Sequence, residues 1–206
     1  MKRIYSDISL ADRNSFGVKQ QAKTLVEFEC AQDLHDYFEE HNPEKWYVLG
    51  AGNNTLFMQD YDGVLFTPVN TQRTILASND DCVELRAEAA HDWDELVEWS
   101  VNEGLWGIEN LSAIPSSVGA APVQNIGAYG AEAKDAITFV EYFDVESRQV
   151  VRLSNEECRF AYRESIFKQE LKGKVIILAV EFRLSRHAKP NLGYGDVISE
   201  VESFLK

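Results

Sequence analysis

GIENLSAIPSSVGAAPVQNIGAYG, from Gly107 to Gly130, is the stretch on which the reading of this chain turns. It keeps neither the 3.6-residue period of a helix nor the alternation of a strand, and it is rich in Gly, Ala, Ser, Asn and Pro. Loops of this length are usually functional or disordered. Disorder does not suit it, because Ile108, Leu111, Ile114, Val118, Val123, Ile126 and Tyr129 are too apolar for a solvated linker. A packed loop is expected. Composition leaves two readings open: an irregular loop of the core, or a loop that grips a planar ligand with backbone amides, where Gly119, Gly127 and Gly130 allow close contact.

Working outward toward the N-terminus, Val64 to Val69 and Trp46 to Leu49 read as short strands, Gln32 to His41 as a helix bearing Leu34, Tyr37 and Phe38, and Thr24 to Glu29 as another strand. This is a small β-α-β unit. The strand Trp46 to Leu49 runs into Gly50-Ala51-Gly52-Asn53-Asn54-Thr55. Glycine permits positive φ and close approach, so successive N–H groups can turn inward as an anion nest suited to a diphosphate. A short Gly-x-Gly after a strand is also often only a turn, and Thr55 departs from the dinucleotide pattern G-x-G-x-x-G.

Between the two loops, Ile75 to Ala77 and Cys82 to Ala87 read as strands, and Asp92 with Glu95 predicts the start of a helix. Trp93, Leu96, Val97 and Val101 form the apolar face of that helix and Gly104 its stop. Beyond the long loop, Ala136 to Val145 and Gln149 to Leu153 predict a hairpin, and Ser154 with Glu157 a capped helical turn. Lys174 to Leu184 reads as a strand buried on both faces. A last helix is expected from Asp196, with Val197, Ile198, Val201 and Leu205 on its apolar side. An α+β fold class is expected, as one large domain or as two small ones that share a core and would divide into residues 1–70 and 71–206.

The chain has 206 residues, 45% of them hydrophobic, and 20 basic against 34 acidic side chains, so 20 − 34 = −14. That charge argues against a nucleic-acid surface or an anionic membrane face, and an anionic ligand would depend on a few cations and backbone N–H groups beside it. Cys30, Cys82 and Cys158 have no metal-ligand or disulfide spacing and read as reduced thiols. His35, His41, His91 and His187 suggest neither a metal set nor a flavin tether. No apolar run reaches the length of a membrane span or signal peptide, and a cytoplasmic protein is expected. Arg163 lies where charges alternate with aromatics, either on a surface segment or turned inward, where its fork could hold a carboxylate.

Gly107 to Pro115 and Val118 to Gly130 closely resemble the flavin-binding signature of the UDP-N-acetylenolpyruvoylglucosamine reductases. Ser15-Phe16-Gly17, the Gly50 to Asn54 loop, Tyr162-Arg163-Glu164-Ser165-Ile166-Phe167-Lys168 and Tyr194-Gly195-Asp196 resemble further motifs of that family in the same order. The resemblance implies an FAD-binding fold of the vanillyl-alcohol-oxidase (PCMH) type, with the cofactor between two subdomains. It implies NADPH as hydride donor, a UDP-sugar enolpyruvyl ether as substrate and a monomeric parent enzyme. It assigns Arg163 to the substrate carboxylate and the enolate-like intermediate, and Tyr194 to the UDP-sugar. Gly50, Ala51, Gly52, Asn53, Asn54 and Thr55 match the pyrophosphate loop. Pro115, Gly119, Ala120, Val123, Gly127, Ala128, Tyr129 and Ile177 match flavin-contacting positions.

There are departures. Asn53 stands where the family usually has serine, and Ser116 where it has glycine. The family also carries a serine proton donor and a late glutamate in a third domain, so the sequence to Lys206 is expected to be a fragment with impaired turnover. The alternative is a non-catalytic FAD-binding module of the same fold.

Overall fold

The computed structural model describes residues 2–204. Its first sheet contains β1 (Arg3–Ser9), β2 (Gln21–Phe28), β3 (Trp46–Val48) and β4 (Tyr61–Pro68), with α1 (Ala31–Glu40) between β2 and β3. The strand order is β1-β2-β4-β3. β4 runs parallel to both β2 and β3, whereas β1 is an antiparallel edge. Alternation decides which side each residue faces. Val26, Phe28, Val64 and Phe66 turn toward Leu34, Tyr37 and Phe38 of α1. Leu25 and Leu65 turn the other way, into a second cluster with Leu10, Leu49 and Phe57.

The second sheet is antiparallel throughout. β5 (Arg73–Ser78) and β6 (Cys82–Glu88) precede α2 (Trp93–Asn102), and the small hairpin of β7 (Gly127–Ala128) and β8 (Ala131–Glu132) closes the long loop. β9 (Ile137–Asp144), β10 (Gln149–Ser154) and β11 (Val175–Ser185) complete it in the order β10-β9-β11-β6-β5. The central β11 is buried on both faces, as its apolar run predicts. One face meets α2 through Trp93, Leu96 and Val97. Near its start, Ile176 and Leu178 join Phe143 against the aromatic side chains under α1, so the two sheets share a core.

Helix α2 begins as predicted: the Asp92 side chain accepts from the Glu95 N–H at 3.0 Å, a cap worth about 1 kcal/mol. Val101 is 52% exposed and does not belong to the apolar face expected of it. Ser154 and Glu157 pair in a turn that does not propagate into a helix, the Ser154 N–H donating to the Glu157 carboxylate at 2.8 Å. Helix α3 (Val197–Phe204) buries none of its residues: Ile198, Val201 and Phe204 are exposed, and Leu205 lies outside the described residues. Among the described residues, no helix is long and apolar enough to cross a membrane.

The loop from 107 to 130 packs into the second core, where Ile108, Leu111, Val118 and Ile126 are buried. Trp93 holds it by donating from Nε1 to the Leu111 carbonyl at 2.9 Å. Tyr129 is the exception among the apolar residues named for this loop, at 55% exposure. Its φ is +47°, in the left-handed region that non-glycine residues seldom occupy.

Candidate functional site

A cleft of about 440 Å³ opens between the two sheets, within the range of small-molecule sites. One wall is the end of β3 with the loop Gly50 to Thr55, and the opposite wall is Ala89, Ile114 to Ser117, Gly119, Ala120, Val123 and Ile177. Phe167, Lys168, Leu171 and Lys172 form a third side. The two lysines supply local positive charge in a chain whose net charge is −14.

The loop after β3 is held from behind by residues 13–15. Gly52 has φ +71°, and a Cβ there would lie 2.1 Å from the Arg13 carbonyl oxygen. Ser15 donates its N–H to the Gly52 carbonyl at 3.3 Å, and its hydroxyl bonds the Asn53 side chain. Among the described residues, Asn53 and Asn54 sit in a turn closed between Gly52 and Thr55, and the N–H groups from Gly50 to Asn54 donate to no other protein group, which leaves them for a ligand or water. On the facing wall, Gly119 approaches Ala89 closely enough that a Cβ would stand 2.7 Å from the Ala89 Cβ. The Gly119 N–H donates to the Ala89 carbonyl at 3.0 Å, while the Ala89 N–H donates to Leu178 of β11 at 2.8 Å. That close seam brings the glycine loop down onto the sheet and shapes the cleft floor.

Of the residues named from the sequence, Gly50 to Thr55, Pro115, Gly119, Ala120, Val123 and Ile177 line this cleft together. Gly127, Ala128 and Tyr129 do not line it; they follow Ile126, which does, and join Arg163 and Tyr194 in an adjoining group. Arg163 is exposed, the surface placement of the two that the sequence left open. Its Nη2 donates to the Gly127 carbonyl at 2.7 Å, and its φ of +53° is sustained by a tight turn in which Ala161 and Glu164 exchange backbone hydrogen bonds. The Tyr129 and Tyr194 rings meet edge to face at 6.2 Å. Asn191 ties the segment before Tyr194 to this corner, donating to the Gly130 carbonyl at 2.9 Å.

Four side chains with no assigned role shape the site. Asn125, fully buried, donates to the Ala161 carbonyl at 3.0 Å and accepts from the Lys134 N–H at 3.0 Å, stapling the Arg163 turn to the glycine loop. Ser165 donates to the Val123 carbonyl at 2.6 Å. Lys168 lines the cleft and donates from Nζ to the Arg163 carbonyl at 2.8 Å. Asn14, also buried, closes the turn behind Gly52 by donating to the Leu10 carbonyl at 2.6 Å. An amide inside the irregular glycine-rich loop is the signal that could have found Asn125, whereas Ser165 lies in a stretch without glycine and carries no such signal. Away from the cleft, His35, Asp36 and Glu39 of α1 bring one ligand atom each within 4.8 Å, an acidic surface group of a kind common without an ion.

Free N–H groups on one wall, a close-packed glycine seam on the other and a cleft between two sheets suit a domain that binds a dinucleotide. The family model described as FAD binding domain matches residues 23–154, and the chain belongs to that family. It is 45% identical over 203 residues to the UDP-N-acetylenolpyruvoylglucosamine reductase of Neisseria gonorrhoeae, a match covering 98% of this chain and 59% of that relative. With the reductase of Flavobacterium johnsoniae it shares 37% identity over 199 residues, 96% of this chain and 59% of the relative. The chain thus spans 59% of the length of these relatives. The crystal structure of the Thermus caldophilus UDP-N-acetylenolpyruvylglucosamine reductase superposes with a TM-score of 0.75 at 23% identity, covering 99% of this chain and 70% of that one, which shows the shared fold.

Proposed function

We propose that these residues form the FAD-holding part of a UDP-N-acetylenolpyruvoylglucosamine reductase, which uses NADPH to reduce UDP-N-acetylglucosamine enolpyruvate to UDP-N-acetylmuramate for peptidoglycan precursors. The observation that carries the reading is the cleft itself, whose loop after β3 offers the N–H groups of Gly50 to Asn54 opposite the Gly119 seam. The 45% identity to the Neisseria gonorrhoeae reductase supports the substrate class. FAD, when bound, supplies hydride acceptance and donation.

The chain's own residues do the rest. The N–H groups of residues 50–54 bind the diphosphate, with Lys168 and Lys172 adding positive potential at the cleft. Pro115, Gly119, Ala120, Val123 and Ile177 provide a mostly apolar wall for the ring system and keep water from it, and Gly127, Ala128 and Tyr129 extend that surface toward the substrate corner. There Arg163, anchored on the Gly127 carbonyl, orients the substrate carboxylate and offsets negative charge that develops beside it. Tyr194, set against Tyr129, contacts the UDP-sugar. The resemblance puts the proton donor on a serine of a further domain. The 206 residues assayed alone should therefore accept electrons from NADPH but turn over the enol ether more slowly than a full-length relative, by about 10²–10⁴-fold.

The test is the visible spectrum of the purified chain after FAD addition and desalting, followed by anaerobic NADPH, with Arg163→Ala as control. Both proteins should retain flavin, the wild type should bleach with NADPH, and the substrate should perturb only the wild-type spectrum. A colourless wild-type protein overturns the cofactor reading. Flavin that NADPH leaves oxidised in the chain and in a full-length version favours a non-catalytic FAD-binding module.

A further inference from the structure

We propose that Glu27 is a positioning residue for the diphosphate loop, acting through Arg13; the inference rests on the reading of residues 50–55 as the diphosphate site. Glu27 stands on β2 and is only 8% exposed. A carboxylate so buried needs partners. It has three: Arg13 Nη2 at 3.1 Å from Oε1, Tyr5 Oη at 3.1 Å from Oε2, and Arg3 Nη1 at 3.6 Å from Oε2. The Arg13 guanidinium also lies over the Tyr5 ring, 6.0 Å from its centroid.

The Arg13 main chain faces the other way. Its carbonyl occupies the space that a Cβ on Gly52 would need, and the next residues continue the contact through Ser15 to the Gly52 carbonyl and the Asn53 side chain. The strap from Leu10 to Gly17 has only a single helical turn at Ala11–Arg13, so no long ladder of backbone bonds determines where it sits. Two backbone bonds hold it, from the Leu10 N–H to the Gln20 carbonyl at 2.8 Å and from Ser15 to Gly52, and side chains complete its placement. Asn14 closes the strap on itself, accepting from the Val18 N–H at 3.1 Å and donating to Leu10, and the Glu27–Arg13 pair fastens it to the sheet.

Neutralising Glu27 releases the Arg13 side chain, lets the Arg13 carbonyl shift and loosens the backing of Gly52. The N–H groups of the loop then converge less well on a diphosphate. The facing wall at Gly119, Ala120, Val123 and Ile177 is built on the second sheet and is untouched. The chemical signature is a split between the two halves of FAD: affinity falls for the diphosphate half and holds for the ring half.

Glu27→Gln, Arg13→Met and the double variant, each checked by circular dichroism, would be titrated calorimetrically with ADP, riboflavin and FAD. Each single substitution should weaken ADP and FAD by about tenfold, with riboflavin within about twofold, and the double variant should lose no more than either single, as two residues acting through one contact require. Unchanged ADP affinity in the folded variants overturns the proposal, as does an equal fall for riboflavin or an additive loss in the double variant. Should Glu27→Gln fail to fold, Arg13→Met, at a partly exposed position, still decides it. A wild-type chain that binds neither FAD nor ADP overturns the diphosphate reading and this inference with it. Wild-type binding with undiminished variants overturns only the role of Glu27.

Discussion

Replacing Gly52 by alanine puts a methyl group where the carbonyl of Arg13 now lies. Two costs add. The residue has φ +71°, and the left-handed region costs an L-residue roughly 1–2 kcal/mol. The Cβ would also stand 2.1 Å from the Arg13 oxygen and 2.9 Å from Arg13 C and Asn14 Cα, all backbone atoms that no rotamer change can move. Reaching even 3.0 Å requires a retreat of 3.0 − 2.1 = 0.9 Å, and the Ser15 N–H bond to the Gly52 carbonyl, already 3.3 Å, breaks in the process. Overpacking of this kind costs about 1–3 kcal/mol. The sum, roughly 2–5 kcal/mol, corresponds to a fall in Tm of about 4–20 °C for a chain of this size. Gly17→Ala is the matched control, since Gly17 has φ +63° and nothing within 4 Å of its Cβ position. It should lose only the conformational part, about 1–2 kcal/mol. Urea denaturation of both variants, with FAD titration of each, separates the effects. If Gly52→Ala is as stable as Gly17→Ala and binds FAD as the wild type does, the strap does not back the loop as argued.

Gly119→Ala should destabilise the chain by about 1–3 kcal/mol through its 2.7 Å contact with the Ala89 Cβ, and adding Ala89→Gly should recover part of that loss; no recovery in urea melts would mean the contact is not the cause. His91 is held below its ordinary value of 6.5 by burial, assisted by Arg73, while its contact with the Asp92 carbonyl and the nearby Glu95 pull the other way. The unfolded chain therefore binds a proton near 6.5 that the folded chain refuses, so this contribution to stability is intact above 6.5 and is lost as pH falls below it toward the lower folded value. Urea midpoints at about pH 7.5 and about pH 5.5 should fall further for the wild type than for His91→Gln, and equal falls would count against the assignment. Burial pushes the Cys158 thiol up to about 12, whereas Cys30 is exposed, so an aromatic disulfide reagent should label Cys30 in the native chain and Cys158 only on unfolding, read by peptide mass.

Much of the secondary structure was legible because its causes are local. Leu34, Tyr37 and Phe38 of α1, the Asp92 cap of α2 and the apolar run of β11 each declare themselves within a few residues, and each forms as expected. β1 was not legible. Most of its residues are exposed, so it lacks a clean alternation, and only its pairing with β2 makes it a strand. Ile198 and Val201 show the opposite failure: helical spacing identifies the helix, but spacing alone does not supply a surface to bury it against.

The glycine loops could be named from sequence because glycine at a close approach is a property of one position, and the apolar content of 107–130 already required a packed loop. Local pattern therefore carries the set of elements, the two loops and the resemblance of their residues. Packing in three dimensions is what inserts β4 between β2 and β3, leaves Arg163 exposed on the Gly127 carbonyl, and brings Glu27 to Arg13 behind Gly52. These contacts join residues far apart in the chain, and side-chain types alone do not choose among the many partners that burial and charge would allow. The choice is made when the two sheets pack and the buried carboxylates, amides and carbonyls must all find partners at once.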